Sequence, residues 1–287
     1  AGAVTLNAVV SSTAGALQVT GDSIAQNGDV TTGGVATIQF AADNGSLTMA
    51  DGTTSTSESG AITYSASGSV ALSVLTSTSG ALNVTATSGA ITDNTADELA
   101  NLVTTTTATL DASTGIGGAD DADIDTTIGT LVATNRTSGD VFVQETDTLI
   151  VGGTGVQTLA ANGNIDVDVD AGSLTINSVV TADGSGTVTL NADAGAVTLN
   201  AAVSSTSGAL QLTGDSIAQN VAGDVTTGGA ATIQVAADNG DLTMADGTTT
   251  TTETGAITYN ASGSVALSLL TSTSGPLSVT ATNGAIT

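Results

Sequence analysis

Carboxylates are the only side chains in this sequence whose spacing suits chemistry, and they form two clusters. The first lies in Gly163-Asn-Ile-Asp-Val-Asp-Val-Asp, where alternate positions carry aspartate. Alternate side chains of a β-strand share one face, so these carboxylates would stand side by side and repel one another. The second lies in Gly117-Gly-Ala-Asp-Asp-Ala-Asp-Ile-Asp, within a segment that lacks the glycine-led strand pattern of the rest of the chain. The aspartates are Asp166, Asp168 and Asp170 in the first cluster, and Asp120, Asp121, Asp123 and Asp125 in the second.

Dense carboxylate oxygens are the ligands that calcium prefers. The sequence therefore predicts calcium as a candidate ligand of both clusters, on a strand face in the first and inside a loop in the second. The alternative interpretation is a solvated acidic face and an acidic surface loop. The first cluster is not an EF-hand, because Ala171 stands where that loop needs glycine and Asn177 where it needs glutamate. No other cofactor is predicted.

The residues that the sequence lacks exclude several classes of function. There is no His or Cys, and Arg136 is the only cation against 27 acidic residues, which gives a formal net charge of −26. Without a His, Cys or Lys to act as nucleophile or base, we expect no enzyme. Nucleic acid is bound through Lys and Arg, so no nucleic-acid partner is expected. No apolar run reaches about 18 residues, which predicts no membrane insertion.

The apolar residues indicate a thin core. Aromatic residues make up 1% of the chain, namely Phe40, Tyr64, Phe142 and Tyr259, so Ala, Val, Leu and Ile supply nearly all apolar volume. Aromatic side chains dominate the buried area of ordinary globular cores. A chain without them needs a fold in which small side chains stack in a narrow interior, and a solenoid provides one.

A long internal repeat organises the chain. Residues 1–27 recur at 194–220, and residues 28–92 recur at 223–287 after the two extra residues Val221 and Ala222. Only 14 of these 92 aligned positions differ. We expect the sequence to be part of a longer tandem array, since the second copy stops partway through the repeat.

A short motif lies inside the long repeat: a glycine, a small residue, then alternating apolar and polar positions. Gly60-Ala-Ile-Thr-Tyr-Ser-Ala and Gly80-Ala-Leu-Asn-Val-Thr-Ala are examples. The alternation predicts half-buried strands, with Leu82, Val84 and Ala86 pointing inward. The glycine suits a turn with positive φ. A spacing of about 20 residues per coil predicts a parallel β-helix (β-solenoid) of about 14 coils, with two or three strands in each. The alternative fold is a series of immunoglobulin-like β-sandwiches.

One segment interrupts this rhythm. Thr95-Ala-Asp-Glu98 matches a helix-capping box, and Leu99, Leu102 and Val103 follow at helical spacing. We therefore expect a short helical or loop excursion. The predicted organisation is a first solenoid copy at 1–92, an irregular excursion at 93–138, a solenoid continuation at 139–193 and a partial second copy at 194–287.

Three further features of single residues or tracts carry expectations. The register of Gly139-Asp-Val-Phe142 places Phe142 outward, and we expect a local bulge to turn it inward. The exchange of Phe40 for Val235 between copies changes the volume at an inward position without an evident reason in the sequence. The Thr tracts at 104–107 and 248–252 would suit an ice-binding face only if Thr recurred at one place on every coil, and their spacing is irregular.

The repeated Gly-Ala-[Val/Leu/Ile]-Thr-[Leu/Val/Ile]-x-Ala pattern over 1–92 and 139–287 resembles the filamentous haemagglutinin class of bacterial adhesins, which are exported by two-partner secretion. This resemblance implies a right-handed parallel β-helix at the bacterial cell surface or outside the cell. It also implies roles in attachment, aggregation or matrix.

On this basis we expect a structural or adhesive fragment of a long repetitive extracellular protein, shaped as a stiff solenoid rod. The alternative is a filament, sheath or matrix subunit that bundles laterally, with calcium as a bridging ion. Expected partners are neighbouring repeats of the same chain, other copies beside it, and a host or neighbouring-cell surface.

Overall fold

The chain folds as a parallel β-solenoid. The computed structural model describes residues 2–96 and 100–287, which form strands and turns without an α-helix. The strand pairs in these residues run parallel, from the first stack of the chain to the last. They stack in about 12 coils. This confirms the predicted solenoid and removes the sandwich alternative, whose sheets are antiparallel.

Contacts divide the chain into two compact units, residues 1–144 and 145–287. The strands up to the boundary are β1 (Val4–Leu6), β2 (Val10–Ser12), β3 (Leu17–Gly21), β4 (Ile24–Gln26), β5 (Val30–Thr32), β6 (Ile38–Ala42), β7 (Leu47–Met49), β8 (Thr54–Ser57), β9 (Ile62–Ala66), β10 (Val70–Leu72), β11 (Val74–Ser77), β12 (Leu82–Ala86), β13 (Ile91–Asp93), β14 (Leu102–Ala112), β15 (Ile124–Asn135) and β16 (Val141–Glu145). The strands after it are β17 (Leu149–Thr158), β18 (Ile165–Val169), β19 (Leu174–Ile176), β20 (Val180–Ala182), β21 (Val188–Leu199), β22 (Val203–Ser205), β23 (Leu210–Gln219), β24 (Val225–Thr226), β25 (Ile233–Ala237), β26 (Leu242–Met244), β27 (Thr249–Thr252), β28 (Ile257–Ala261), β29 (Val265–Ala266), β30 (Leu269–Ser272) and β31 (Leu277–Ala281).

Each coil carries three strand segments, one on each of three faces. In the first unit β1, β4, β7 and β10 stack on one face, β2, β5 and β8 on the next, and β3, β6 and β9 on the third. A coil takes between 20 residues, as from Val4 to Ile24, and 27 residues, as from Leu75 to Leu102. The coils are longer than the predicted 20 residues, so the chain makes fewer of them than expected.

Alternation along the strands separates the interior from solvent as predicted. In β12 the side chains of Leu82, Val84 and Ala86 are fully buried, while Asn83 and Thr85 between them are half-exposed. At ~25 cal/mol per Å² of apolar surface removed from water, such rows supply the main drive for coil stacking. The interior also holds hydroxyls at the corners. Ser77 Oγ donates to the carbonyl of Gly60 at 3.0 Å in the neighbouring coil and accepts from the Gly80 amide at 2.9 Å.

Several glycines before the strands are required because a side chain there would collide with the stacked coil, rather than because of their backbone conformation. Gly80 does not have a positive φ, but a Cβ there would lie 2.2 Å from the carbonyl oxygen of Gly60 in the stacked coil. Gly255 and Gly275 are equally crowded, with contacts of 1.8 and 1.9 Å. The prediction of positive φ is therefore wrong at these positions. It holds at Gly172, whose φ is 116°.

Most of the segment expected to be irregular belongs to the solenoid. Leu102 and Val103 lie in β14 rather than in a helix, and β14 pairs with β12 and β15. The expected capping box reaches into residues 97–99, which lie outside the described part of the chain. The remaining irregularities are a register shift between Thr104 and Thr107 and the turns between β14 and β15. The pattern was missed because β14 packs Thr, Ala and Leu inward, without a leading glycine.

The packing of Phe40 accounts for its exchange between the copies, and Phe142 differs from its expected position. Phe40 stacks on Tyr64 with ring centroids 4.8 Å apart and planes 5° apart, and its neighbour in the preceding coil is Val19. In the second copy Val235 replaces Phe40, and its neighbour in the preceding coil is Leu212, which replaces Val19. Side-chain volume is thus lost at one position and gained at the position stacked against it. Phe142 points outward and is half-buried between the buried Val141 and Val143, so the expected bulge is absent from this strand.

Candidate functional site

The first aspartate cluster lies on the outward side of β18, as predicted. Asp166 and Asp168 alternate with the buried residues of that strand, and Asp170 follows directly after it and is exposed. In the stacked coil Thr189 lies beside Asp166 and Asn191 beside Asp168. Asn191 Nδ2 donates to Asp168 at 2.9 Å and to Asp193 at 2.6 Å. One amide thus joins two carboxylates, and Asp193 is a member of the cluster that the sequence did not indicate.

Partial burial and neighbouring carboxylates shift the pKa values of this cluster. Partial burial, followed by repulsion from Asp168, raises the pKa of Asp166. Partial burial also raises the pKa of Asp168, the Asn191 amide lowers it, and Asp193 and Asp170 raise it again. Burial and neighbouring carboxylates both disfavour the charged form. A cation at this face would relieve both effects, which keeps the calcium hypothesis physically reasonable here.

The second cluster lies in and after a tight turn. Asp120 has a φ of 56°, and its carbonyl accepts the amides of Ala122 at 2.6 Å and Asp123 at 3.2 Å. Asp120 and Asp121 are exposed, whereas Asp125 lies in β15, where its amide donates to Asn101 Oδ1 at 3.1 Å. The turn therefore directs its carboxylates to different environments instead of wrapping them around one point.

Over residues 2–96 and 100–287, no group of three or more carboxylates converges in a geometry that could hold a metal ion. The strand cluster is a row and the turn cluster is divided between a turn and a strand. Calcium binding at either therefore remains a prediction about an extended surface rather than about a closed cage.

The strands of the first repeat copy carry no charge on their outward faces, and in the second copy Asp215 in β23 is the acid that lies within a strand. None of β1 to β12 contains an acidic residue, and the five acids of residues 1–92 lie in the turns between strands. Two of those acids accept hydrogen bonds from backbone amides of a neighbouring coil. Asp29 accepts the amide of Thr54 at 2.9 Å, and Glu58 accepts the amide of Gly34 at 2.7 Å. In these copies negative charge is thus concentrated at the corners, with polar faces between them.

One of these faces carries hydroxyls in register. In the second unit the central outward positions of five successive strands align directly above one another. They are Thr181, Ser204, Thr226, Thr251 and Thr271. A shorter row of four hydroxyls aligns at the equivalent positions of the first copy. These rows are not evident in the sequence, because the coils differ in length and the aligned residues are therefore unevenly spaced along the chain.

Buried polar groups are the second feature that sequence reasoning missed. Gln26, Ser55 and Tyr64 are fully buried and hydrogen-bonded to one another, and Gln219, Thr250 and Tyr259 form the same arrangement in the second copy. Glu145 is also fully buried, and its carboxylate accepts the amide of Asp147 at 3.2 Å. The alternation pattern marks such positions as inward but does not reveal that polar residues there find partners.

Comparison of the chain with protein families, curated proteins and solved structures finds no match. The resemblance to filamentous haemagglutinin-like adhesins therefore stays a prediction from the motif. In the described residues, no helix has the length and apolar character needed to cross a bilayer.

Proposed function

We propose that this chain is a structural and adhesive segment of a long repetitive protein at the bacterial cell surface or outside the cell. The observation that carries the proposal is the combination of stacked coils, repeated almost unchanged in the second copy of the long repeat, with uncharged, hydroxyl-bearing faces. Repetition of this kind adds length and stiffness without adding a new binding site in each coil. A catalytic function is not part of the proposal, because its partners are surfaces and other repeats.

Uncharged polar faces are suited to contact with a host or neighbouring-cell surface. In the two repeat copies such faces bring little charge to the contact, because the acids of these copies lie mainly at the corners. Hydroxyls in register offer donors and acceptors at the spacing of the coils, roughly 4.8 Å. Neighbouring repeats of the same chain would continue these rows.

The test is attachment of beads that carry the purified chain to bacterial and epithelial cells. The control is a triple variant that replaces three hydroxyls of one row by glutamate: Ser204→Glu, Thr226→Glu and Thr251→Glu. These outward positions leave the buried side chains unchanged. We expect the parent chain to retain beads and the variant to lose retention. Equal retention by both would contradict a role for these faces.

A second candidate function is lateral assembly of copies into a filament, sheath or matrix, with calcium as the bridging ion. The strand cluster favours it, because partial burial and neighbouring carboxylates raise the pKa of Asp166 and of Asp168, and a bridging cation would offset that repulsion. Light scattering at rising calcium concentration, with reversal by a chelator, tests it. The variant Asp166→Asn/Asp168→Asn should require more calcium to scatter. No calcium-dependent scattering by the parent chain would remove this candidate.

A further inference from the structure

Each copy of the long repeat contains one buried trio in which a glutamine, a hydroxyl residue and a tyrosine are hydrogen-bonded to one another. In the first unit the Tyr64 hydroxyl donates to Gln26 Oε1 at 2.5 Å and lies 2.5 Å from Ser55 Oγ. Gln26 Nε2 donates to Ser55 Oγ at 3.0 Å. Gln26 ends β4, Ser55 lies in β8 and Tyr64 in β9, so the trio takes one residue from each face. Since β4 precedes β7 in its stack, the trio also joins one coil to the next.

The second copy keeps this trio although its surroundings have changed. The Tyr259 hydroxyl donates to Gln219 Oε1 at 2.5 Å, and Gln219 Nε2 donates to Thr250 Oγ1 at 3.2 Å. Ser55 has become Thr250, which preserves the hydroxyl.

The two extra residues, Val221 and Ala222, follow Gln219 almost directly. The second amide hydrogen bond of the glutamine consequently moves from the carbonyl of Thr54, at 3.2 Å, to that of Gly223, at 2.9 Å. The three-way contact survives both changes.

Other coils cannot supply these partners. The residues aligned with Gln26 in its stack are Leu6 and Met49, and those aligned with Tyr64 are Phe40 and Val84. A shift by one coil would therefore place the glutamine amide or the tyrosine hydroxyl against apolar side chains. An unsatisfied buried polar group is far more costly than a missing apolar contact of the same size.

A repetitive solenoid needs residues that distinguish the correct neighbouring coil from the other coils. The strands β6, β9 and β12 read Ile-Gln-Phe-Ala-Ala, Ile-Thr-Tyr-Ser-Ala and Leu-Asn-Val-Thr-Ala, so apart from the hydroxyl of Tyr64 their inward positions are all apolar. Hydrophobic alternation fixes which side of a strand faces inward but does not fix which coil it stacks on. Single buried polar residues are known to set register in other repetitive assemblies.

We propose that the Gln–hydroxyl–Tyr trio is a register key, which selects during folding the coil on which each neighbouring coil stacks. The key occurs once per long repeat and bridges two coils. It therefore fixes the stacking order of coils whose inward apolar patterns are similar.

The absence of cysteine from the chain allows a direct test by disulfide trapping. Thr63 aligns with Asn83 in the next coil, so Thr63→Cys/Asn83→Cys reports the native register. Gln39 aligns with Thr63 and so lies two coils from Asn83, roughly 9.6 Å away. That distance exceeds the reach of a disulfide, so Gln39→Cys/Asn83→Cys reports a slip of one coil.

Each cysteine pair is placed in the parent chain and in the variant Gln26→Leu/Ser55→Ala/Tyr64→Phe, and the chains are refolded from denaturant under oxidising conditions. We expect the 39–83 disulfide to be rare in the parent and about tenfold more frequent in the variant, a change equivalent to about 1.4 kcal/mol. The single variant Tyr64→Phe, which removes only one hydroxyl, should give a smaller increase. It keeps the test decisive if the triple variant does not refold.

Two controls separate register selection from general stability. Leu110→Ala removes a buried apolar side chain and should leave the 39–83 disulfide at the parent level. In the second unit, Gln234→Cys/Ser278→Cys is the equivalent slip reporter, and changes to the first trio should not affect it. If Leu110→Ala raises the 39–83 disulfide as much as loss of the trio does, or if neither raises it, the trio is not a register key.

Discussion

Alkaline pH should unfold this solenoid through its two buried tyrosines. Burial raises the pKa of Tyr64 and of Tyr259 well above the ordinary range, although hydrogen bonds act in the opposite direction, from Ser55 at Tyr64 and from Thr250 and Gln219 at Tyr259. The unfolded chain exposes both phenols, whose pKa is then about 10. Because the pKa is higher in the folded state, stability is fully present below pH 10 and is lost as the pH rises above it.

The magnitude follows from this difference. At pH 11 the unfolded state gains about 1.4 kcal/mol from each ionised tyrosine, and so about 2.8 kcal/mol from both, while the folded state keeps its phenols neutral. That is a large part of the 5–15 kcal/mol of a typical domain. Lys, His and Cys are absent from the sequence, so no other type of side chain ordinarily titrates between about pH 6 and 11.

The measurement is urea unfolding at pH 7, 9, 10 and 11, followed by far-ultraviolet circular dichroism, together with the ultraviolet absorbance of tyrosinate. Stability should be constant to pH 9 and then fall, and Tyr64→Phe/Tyr259→Phe should remove the fall. Tyrosinate should appear only as the chain unfolds. Ionisation of both phenols near pH 10 in a chain that keeps its circular dichroism would show that the hydroxyls are not locked in the interior.

Three further predictions concern single contacts. Gly80→Ala should destabilise the chain by about 2 kcal/mol or more, because its Cβ would overlap the Gly60 carbonyl, whereas Gly2→Ala, with open space around it, should change little in urea unfolding. Asp168→Asn should raise the free energy of unfolding at pH 7 by less than about 1 kcal/mol and leave it unchanged below about pH 4. The reason is that a carboxyl pKa raised by folding costs stability only at a pH where the unfolded state is ionised. Urea unfolding of the parent chain and the variant at both pH values tests this. Arg136→Gln removes the exposed ion pair with Asp111 and should lower the urea midpoint by the equivalent of about 1 kcal/mol at most, and a larger loss would show that the pair is structural.

The fold was predictable because one physical rule governs most of the chain. Alternation identified Leu82, Val84 and Ala86 as inward, and repetition identified stacking, so a solenoid followed without any distant contact being known. The coil length could not be predicted, because turns between strands vary in length and carry little pattern. The same variation hid the hydroxyl row through Thr226 and Thr251, whose members align only after the coils are formed.

The two aspartate clusters show which features of a site the alternation of residues within one strand can predict and which it cannot. Alternation correctly placed Asp166 and Asp168 on one face, because that depends only on the strand. It did not reveal that Asn191 of the stacked coil lies between Asp168 and Asp193, since that contact joins positions 23 residues apart. Asp121, Asp123 and Asp125 also alternate along the sequence, but only Asp125 lies in a strand, and the turn that separates it from Asp120 and Asp121 is not evident from the spacing.

Differences between the two copies indicate which atoms the fold requires. Ser46 Oγ accepts the amide of Ser69 at 3.2 Å, and its counterpart Asp241 accepts that of Ser264 at 2.7 Å, so a change of charge preserves an acceptor for the next coil. Pro276 replaces Ala81, and its carbonyl still accepts the amide of the stacked isoleucine at 3.0 Å.

The buried trio follows the same rule when Thr250 replaces Ser55. The copies have therefore diverged in side-chain size and charge where solvent or slack permits, while the acceptors and hydroxyls that join one coil to the next have been kept. If stacking is the property on which the proposed surface role depends, substitutions at these joining atoms should impair the chain more than equally large changes on its outward faces.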